Sequence, residues 1–267
     1  FVLGVAVMAA LVPSLLAPPD DYQQSMMRRL APPSFLGGPA DYLLGADQLG
    51  RDILSRIIYG ARATLAISIS AVAISCAIGT GVGLVAGYKG GRTDAVILRL
   101  IDMQLAFPVI LPVIAVVAVI GPSISTLILL LGISGWPQFA RIVRASVLSV
   151  RELEYVEAAR SIGARPLRIV LRHIGPNVIS ATIVFATIEL SRMILLEATV
   201  SFLGLGVQPP VPTWGGMISE GQKYISLAWA PSVFPGIAIA ATILAINMLG
   251  DVLRDALDPR LAGRAPQ

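Results

Sequence analysis

Three ionisable residues, Glu189, Arg192 and Glu197, interrupt an otherwise apolar run near positions 177–204. A charge inside a bilayer costs about 2.5–3.5 kcal/mol on insertion scales, so each needs a counter-charge or a wetted cavity. Glu189 and Arg192 are spaced i, i+3, which lets them pair along one helix face. Glu197 falls close to the same face, nearer the far end of the run. Two readings stay open: ion pairs inside a helix bundle, or charges lining a passage that fills with water when the bundle opens. Asp102 follows Arg99 at the same spacing and predicts a local ion pair at a helix end.

Other reactive chemistry is sparse. His173 is the only histidine and has no cysteine, carboxylate or second histidine at ligand spacing, so it makes a poor metal ligand. It also lacks the nucleophile and orienting partner that general-base catalysis requires. Cys76, the single cysteine, excludes an internal disulfide and reads as a small buried hydrophobe. Gly79, Gly83 and Gly87 recur every four residues, a spacing that permits close helix packing, within the chain or against a partner subunit. They do not form a nucleotide loop, because "GTGVGL" lacks the third glycine of GxGxxG and follows no strand. No GxxxxGK[ST] phosphate loop occurs either, so any nucleotide chemistry belongs to other chains.

The elements that hold these residues follow from composition. Of 267 residues, 55% are hydrophobic and 13% charged, with mean hydropathy +0.79. Soluble domains carry roughly 25% charged residues, so this is an integral membrane protein. A helix needs about 20 apolar residues to cross the hydrocarbon core. Six segments qualify, near 1–17, 64–88, 95–120, 124–148, 177–204 and 231–250. Residues 1–17 are expected to be part of a span rather than a signal-peptide core, since no small-residue cleavage site follows. In the fourth span Gly135, Trp136 and Pro137 predict a kink. The fold class is all-α and polytopic, without alternating strand patterns.

Charge sets the sidedness. Segments 89–99, 141–176 and 251–267 hold 13 of the 20 basic residues, and the opposite segments 18–63 and 205–230 hold six. The positive-inside rule makes the first set cytoplasmic, with both termini on that side. The net charge of +4 is therefore a topology signal, not a nucleic-acid footprint. Within 18–63, Leu49, Ile53, Ile57 and Ile58 predict an amphipathic helix on the outer membrane surface.

The longest cytoplasmic loop contains "EYVEAARSIGARPLRIVLRHIGP", Glu154 to Pro176. Acids in its first turn suit the helix dipole, and Gly163 suits the left-handed position past a helix end. Pro166 suits the start of a second helix and Pro176 its end. Ala158 and Ala159 would leave one surface flat for another protein's groove, with Glu157, Arg160, Arg165, Arg168 and Arg172 offering charges around it. A solvated basic loop needed only for sidedness is the plainer alternative.

"EAARSIG", followed by Pro176, resembles the EAA loop of permease subunits of bacterial ABC importers. Glu157, Ala158, Ala159 and Gly163 match that motif, and Gly175 stands where the family often has leucine. "GADQLGRDILSRIIYGAR" (45–62), "EATVSFLGLGVQPPVPTWGGMI" (197–218) and "LGDVLRDALDPRL" (249–261) resemble the second permease of the dipeptide, oligopeptide and nickel importers. The resemblance implies a type I importer fold and transport of di- or oligopeptides, whose paired charges would suit Glu189, Arg192 and Glu197. It further implies that the EAA helix docks on an ATPase subunit, with ATP and Mg bound there and no cofactor or metal in this chain. Implied partners are a homologous second permease, two cytoplasmic ATPase domains and an extracytoplasmic binding protein facing Gln208 and Trp214, all at the bacterial inner membrane. The expected division is 1–63 (first helix and outer segment), 64–252 (permease core with the loop at about 149–176) and 253–267 (cytoplasmic tail). Two other classes compete. An ion- or proton-coupled secondary transporter would use Asp102, Glu189 or Glu197 as a relay, and a membrane-embedded hydrolase would need a site that His173 does not supply.

Overall fold

In lipid a backbone must satisfy its own N–H and C=O groups, and an apolar chain without strand patterning does so by forming helices. The structure is a computed structural model of the chain and describes residues 2–17 and 24–257. The end of the 249–261 signature and the rest of the tail lie outside these residues.

The helices are α1 (Val2–Leu11), α2 (Pro13–Leu16), α3 (Ile53–Lys89), α4 (Gly91–Leu105), α5 (Ile110–Ile120), α6 (Ile124–Val150), α7 (Glu154–Ser161), α8 (Pro166–Ile169), α9 (Gly175–Phe202), α10 (Trp214–Gln222) and α11 (Ala230–Leu257). The only bridge among the described residues is isolated, between Ala46 and Asp52. α3, α6, the Pro166–Phe202 run and α11 are long and apolar enough to cross a membrane. The pair α4–α5 adds a fifth crossing if its 75° bend lies within one span. Among the described residues, four or five helices thus meet the length and composition of a crossing where the sequence predicts six. The first candidate is divided at Val12 into two short helices. The third breaks before Pro108, whose ring disfavours helical geometry at the preceding residue. α6, by contrast, runs uninterrupted through Pro137, its flanks anchored by the fully buried Leu131 and Phe139.

One compact unit comprises residues 1–70, 112–131 and 191–246. Its apolar centre joins Ile53, Met217 and Ala230, with Leu44, Ile57 and Phe234 against them. The predicted surface helix is the first turns of α3, with Ile53 buried and Ile57 half-buried against the same centre. At 37 residues, α3 is about 55 Å long at 1.5 Å per residue, well beyond the roughly 30 Å hydrocarbon core.

The other unit comprises 71–111, 132–190 and 247–267. Here the glycine stripe meets α6 of the same chain, not a partner. A Cβ on Gly83 would lie 2.7 Å from the Ala140 carbonyl oxygen and 2.8 Å from the Val143 Cβ. The helices touch there because no side chain separates them. Gly83→Leu should therefore lower stability by about 1–3 kcal/mol through overpacking. Gly81→Leu, where a Cβ meets nothing within 4 Å, should leave it unchanged. Thermal unfolding in detergent compares the two.

Asp102 pairs with Arg141 across helices at 2.5 Å instead of with its neighbour Arg99. Asp94 receives both Nε and Nη2 of Arg144, at 2.5 and 2.7 Å. The arginines that load the end of α6 thus fasten it to α4.

Candidate functional site

α7 begins after Leu153 with Glu154 and Glu157 in its first turn and Arg160 in its last, charges that complement the helix dipole. It ends where Gly163 adopts φ +78°, a conformation that side chains with a Cβ disfavour. The Gly163 and Ala164 N–H groups donate to the carbonyls of Arg160 and Ala159, at 3.0 and 3.1 Å, and close the turn. Pro166 then opens α8 at its first position.

Pro176 does not end the second helix. α8 passes into a π-helical turn, Val170–Ile174, and then directly into α9. A proline within a helix removes one hydrogen bond and crowds the carbonyl four residues earlier. The widened π turn immediately before it accommodates that disruption, and π turns recur at functional positions. The loop thus continues, through one modified turn, into the Pro166–Phe202 span.

Apolar burial fixes α7 at its root. Val156, Ile169, Ile174 and Val178 pack with Val143 and Val147, and Leu84, Tyr88, Val150 and Ala164 close the cluster. Ala159 is also turned inward, at 7% exposure, so the flat surface expected from two alanines is reduced to Ala158. Glu157, Ala158 and Ile162 remain exposed, with Ile162 at 86%. Arg165, Arg168 and Arg172 are also exposed. Arg160 is exposed too, and lines a recess with Tyr88, Lys89, Arg151 and Glu152. The structure therefore leaves Glu157, Ala158 and Arg160 exposed on α7 and turns Ala159 into the core.

On α9, Glu189 and Glu197 are buried and Arg192 is half-buried. Glu197 is fully inaccessible, and its Oε1 accepts a hydrogen bond from Ser201 at 2.7 Å. The loop after α9 is also tied down. Trp214 is 2% exposed, its indole N–H donates to the Ile57 carbonyl at 2.9 Å, and its backbone N–H donates to Thr64 at 3.2 Å. Trp214 therefore anchors the loop on α3. Gln208 is exposed, and its amide donates to the Gly206 carbonyl at 3.0 Å.

The segment preceding α3 carries a cluster that sequence reasoning missed. Asp47 Oδ2 accepts from Arg51 Nε at 2.6 Å and Arg56 Nη1 at 2.7 Å, while its Oδ1 accepts the Leu49 and Arg51 backbone N–H groups. Glu220 on α10 receives Arg51 Nη2, Arg56 Nη1 and Gln48 Nε2 at 3.2, 3.0 and 2.8 Å. The i, i+4 relation of Asp47 to Arg51 was a local signal, but nothing in the sequence pointed to Glu220. Among the described residues no group of His, Cys, Asp and Glu could hold a metal.

Comparison with known proteins places this geometry. Residues 79–263 match the family described as "Binding-protein-dependent transport system inner membrane component". The chain is 44% identical over 260 residues to the di/tripeptide transport system permease protein DppC of Pseudomonas aeruginosa, covering 97% of this chain and 86% of that one. It is 46% identical over 225 residues to the glutathione transport system permease protein GsiD of Pectobacterium atrosepticum, covering 84% and 75%. Its fold resembles a chain of the MetNI methionine ABC transporter, solved in an inward-facing conformation, with TM-score 0.65 at 19% identity over 77% of this chain and 97% of that one. Matched over more than half its length, this helical membrane chain belongs to the binding-protein-dependent ABC transporter inner membrane permeases.

Proposed function

We propose that this permease imports di- and oligopeptides, delivered by an extracytoplasmic binding protein and driven by ATP hydrolysis in separate subunits. The observation that carries the coupling step is the α7–Gly163–α8 lever, apolar at its root and exposed at Glu157, Ala158 and Ile162. ATP binding would close two partner ATPase domains, which hold ATP and Mg. One of them would carry α7, and the continuous Pro166–Phe202 helix would convey that motion into the bundle. A homologous second permease would complete the passage, and Gln208 would face the binding protein. The sidedness rests on the lysine and arginine distribution, which puts the lever and both termini in the cytoplasm. Residues 1–63 would supply the first helix and outer segment, 64–252 the permease core and 253–267 a cytoplasmic tail. Family membership displaces the secondary-transporter reading. Peptide cargo is favoured because the relatives named for di/tripeptides and glutathione, itself a tripeptide, match most of the chain.

Expression with its ATPase, second permease and binding protein, in cells lacking their own peptide importers, should restore ATP-dependent uptake of a labelled tripeptide. Uptake that persists without the ATPase subunits would refute the energy source. ATP-driven uptake of another solute but not of peptides would refute the cargo.

A further inference from the structure

A recess of about 520 Å3 is lined by Tyr88, Lys89, Arg151, Glu152 and Arg160. Tyr88 and Lys89 are the last residues of α3, and Arg151 and Glu152 are the first beyond α6. Both helices are long and apolar enough to cross a membrane, and the recess lies where their apolar sequence gives way to the charged residues Lys89, Arg151 and Glu152. Arg160 reaches it from α7.

Three cations and one carboxylate line the recess, and Asp94 nearby also acts on Arg151. Arg151 Nη2 lies 3.9 Å from Glu152, whose side chain is 75% exposed. Arg151 Nη1 donates to the Gly87 carbonyl at 2.9 Å, which caps the end of α3 and holds the guanidinium at the recess wall. Among the described residues, neither the Lys89 nor the Arg160 side chain has a hydrogen-bonding or ion-pair partner. Unpaired basic groups converging at headgroup depth, beside an interfacial tyrosine, are the arrangement that captures a phosphodiester.

We propose that this recess binds the headgroup of an anionic phospholipid, with its phosphate between Lys89, Arg151 and Arg160 and its acyl chains along the adjoining spans. An acidic side chain of a partner protein would satisfy the same charges. The lipid is favoured because four of the five lining residues sit at the ends of helices long and apolar enough to cross a membrane. Arg160 would then tie the lever to the membrane plane, but headgroup binding itself does not depend on what docks on α7.

Native mass spectrometry of the full chain, purified in its complex and supplied with phosphatidylglycerol or phosphatidylcholine, tests the proposal. Phosphatidylglycerol should be retained about tenfold more strongly, since each basic group near a headgroup layer contributes appreciably to anionic-lipid affinity. The double substitution Lys89→Gln and Arg160→Gln should remove most of that preference. Lys89→Gln alone, at an exposed position that leaves the fold intact, should reduce it by roughly fivefold. Arg254→Gln, an equal charge change on α11, should leave it unaltered. Equal retention of the two lipids, or a preference unchanged in the Lys89 and double variants, would overturn the proposal. Displacement by inorganic phosphate would instead make the recess a free-anion site. Loss of ATPase association in the double variant without loss of lipid preference would assign these cations to a protein partner.

Discussion

Ala158→Trp is expected to abolish most ATP-driven uptake while leaving the permease folded. Ala158 is exposed on α7, whereas Val156 and Ala159 on the opposite side are buried. An indole at 158 therefore meets no core of its own chain and burdens only a docked partner. Overpacking a fitted contact costs about 1–3 kcal/mol, which weakens association by roughly fivefold to a hundredfold. Ala159→Trp should behave differently. That residue packs inward, so the variant should lose thermal stability before it loses affinity for an ATPase. Uptake assays combined with pull-down of the ATPase subunits and a thermal melt separate the two. A fully active Ala158→Trp variant would remove α7 from the coupling interface.

Asp47→Asn should produce the largest loss of stability in the chain, about 3–5 kcal/mol, the range for breaking a buried ion pair by removing one partner. Asp47, Arg51 and Arg56 are each at most 5% exposed. Two guanidiniums share two carboxylates, and Asp47 accepts four of the cluster's hydrogen bonds. Without its charge, Arg51 and Arg56 depend on Glu220 alone, whose side chain is 24% exposed and so partly screened. The segment 24–52 should then detach from α10 and become sensitive to limited proteolysis. Arg28→Ala is the contrasting case. Its partner Asp41 lies 3.3 Å away with a 74% exposed side chain, and such surface pairs contribute at most about 1 kcal/mol. Equal protease resistance of Asp47→Asn and the parent chain would refute the role of this cluster.

Features encoded by neighbouring residues were legible in the sequence. Glu154, Glu157, Gly163 and Pro166 specify the start, the turn and the restart of the lever, and each occupies the position its chemistry suits. The long apolar runs likewise reported α3, α6, α9 and α11. Features set by distant contacts were not legible. Asp102 lay within reach of Arg99, but the bundle brings Arg141 closer. Trp214 fitted an interfacial belt by composition, yet the Ile57 carbonyl and Thr64 draw it inward. Pro176 carried a strong stop signal that the preceding π turn overrides. Ala158 and Ala159 look equivalent in sequence, and only the packing of α7 onto Val143 and Val147 makes one an outer surface and the other core.

Cysteine cross-linking measures the lever's contact most directly. With Cys76, the only native cysteine, replaced by serine, an Ala158→Cys chain would be cross-linked in intact membranes containing the whole transporter. A covalent adduct with the ATPase subunit, changing in yield when ATP binds, is the predicted result. No adduct in any nucleotide state, from a transporter that still imports its solute, would contradict the account.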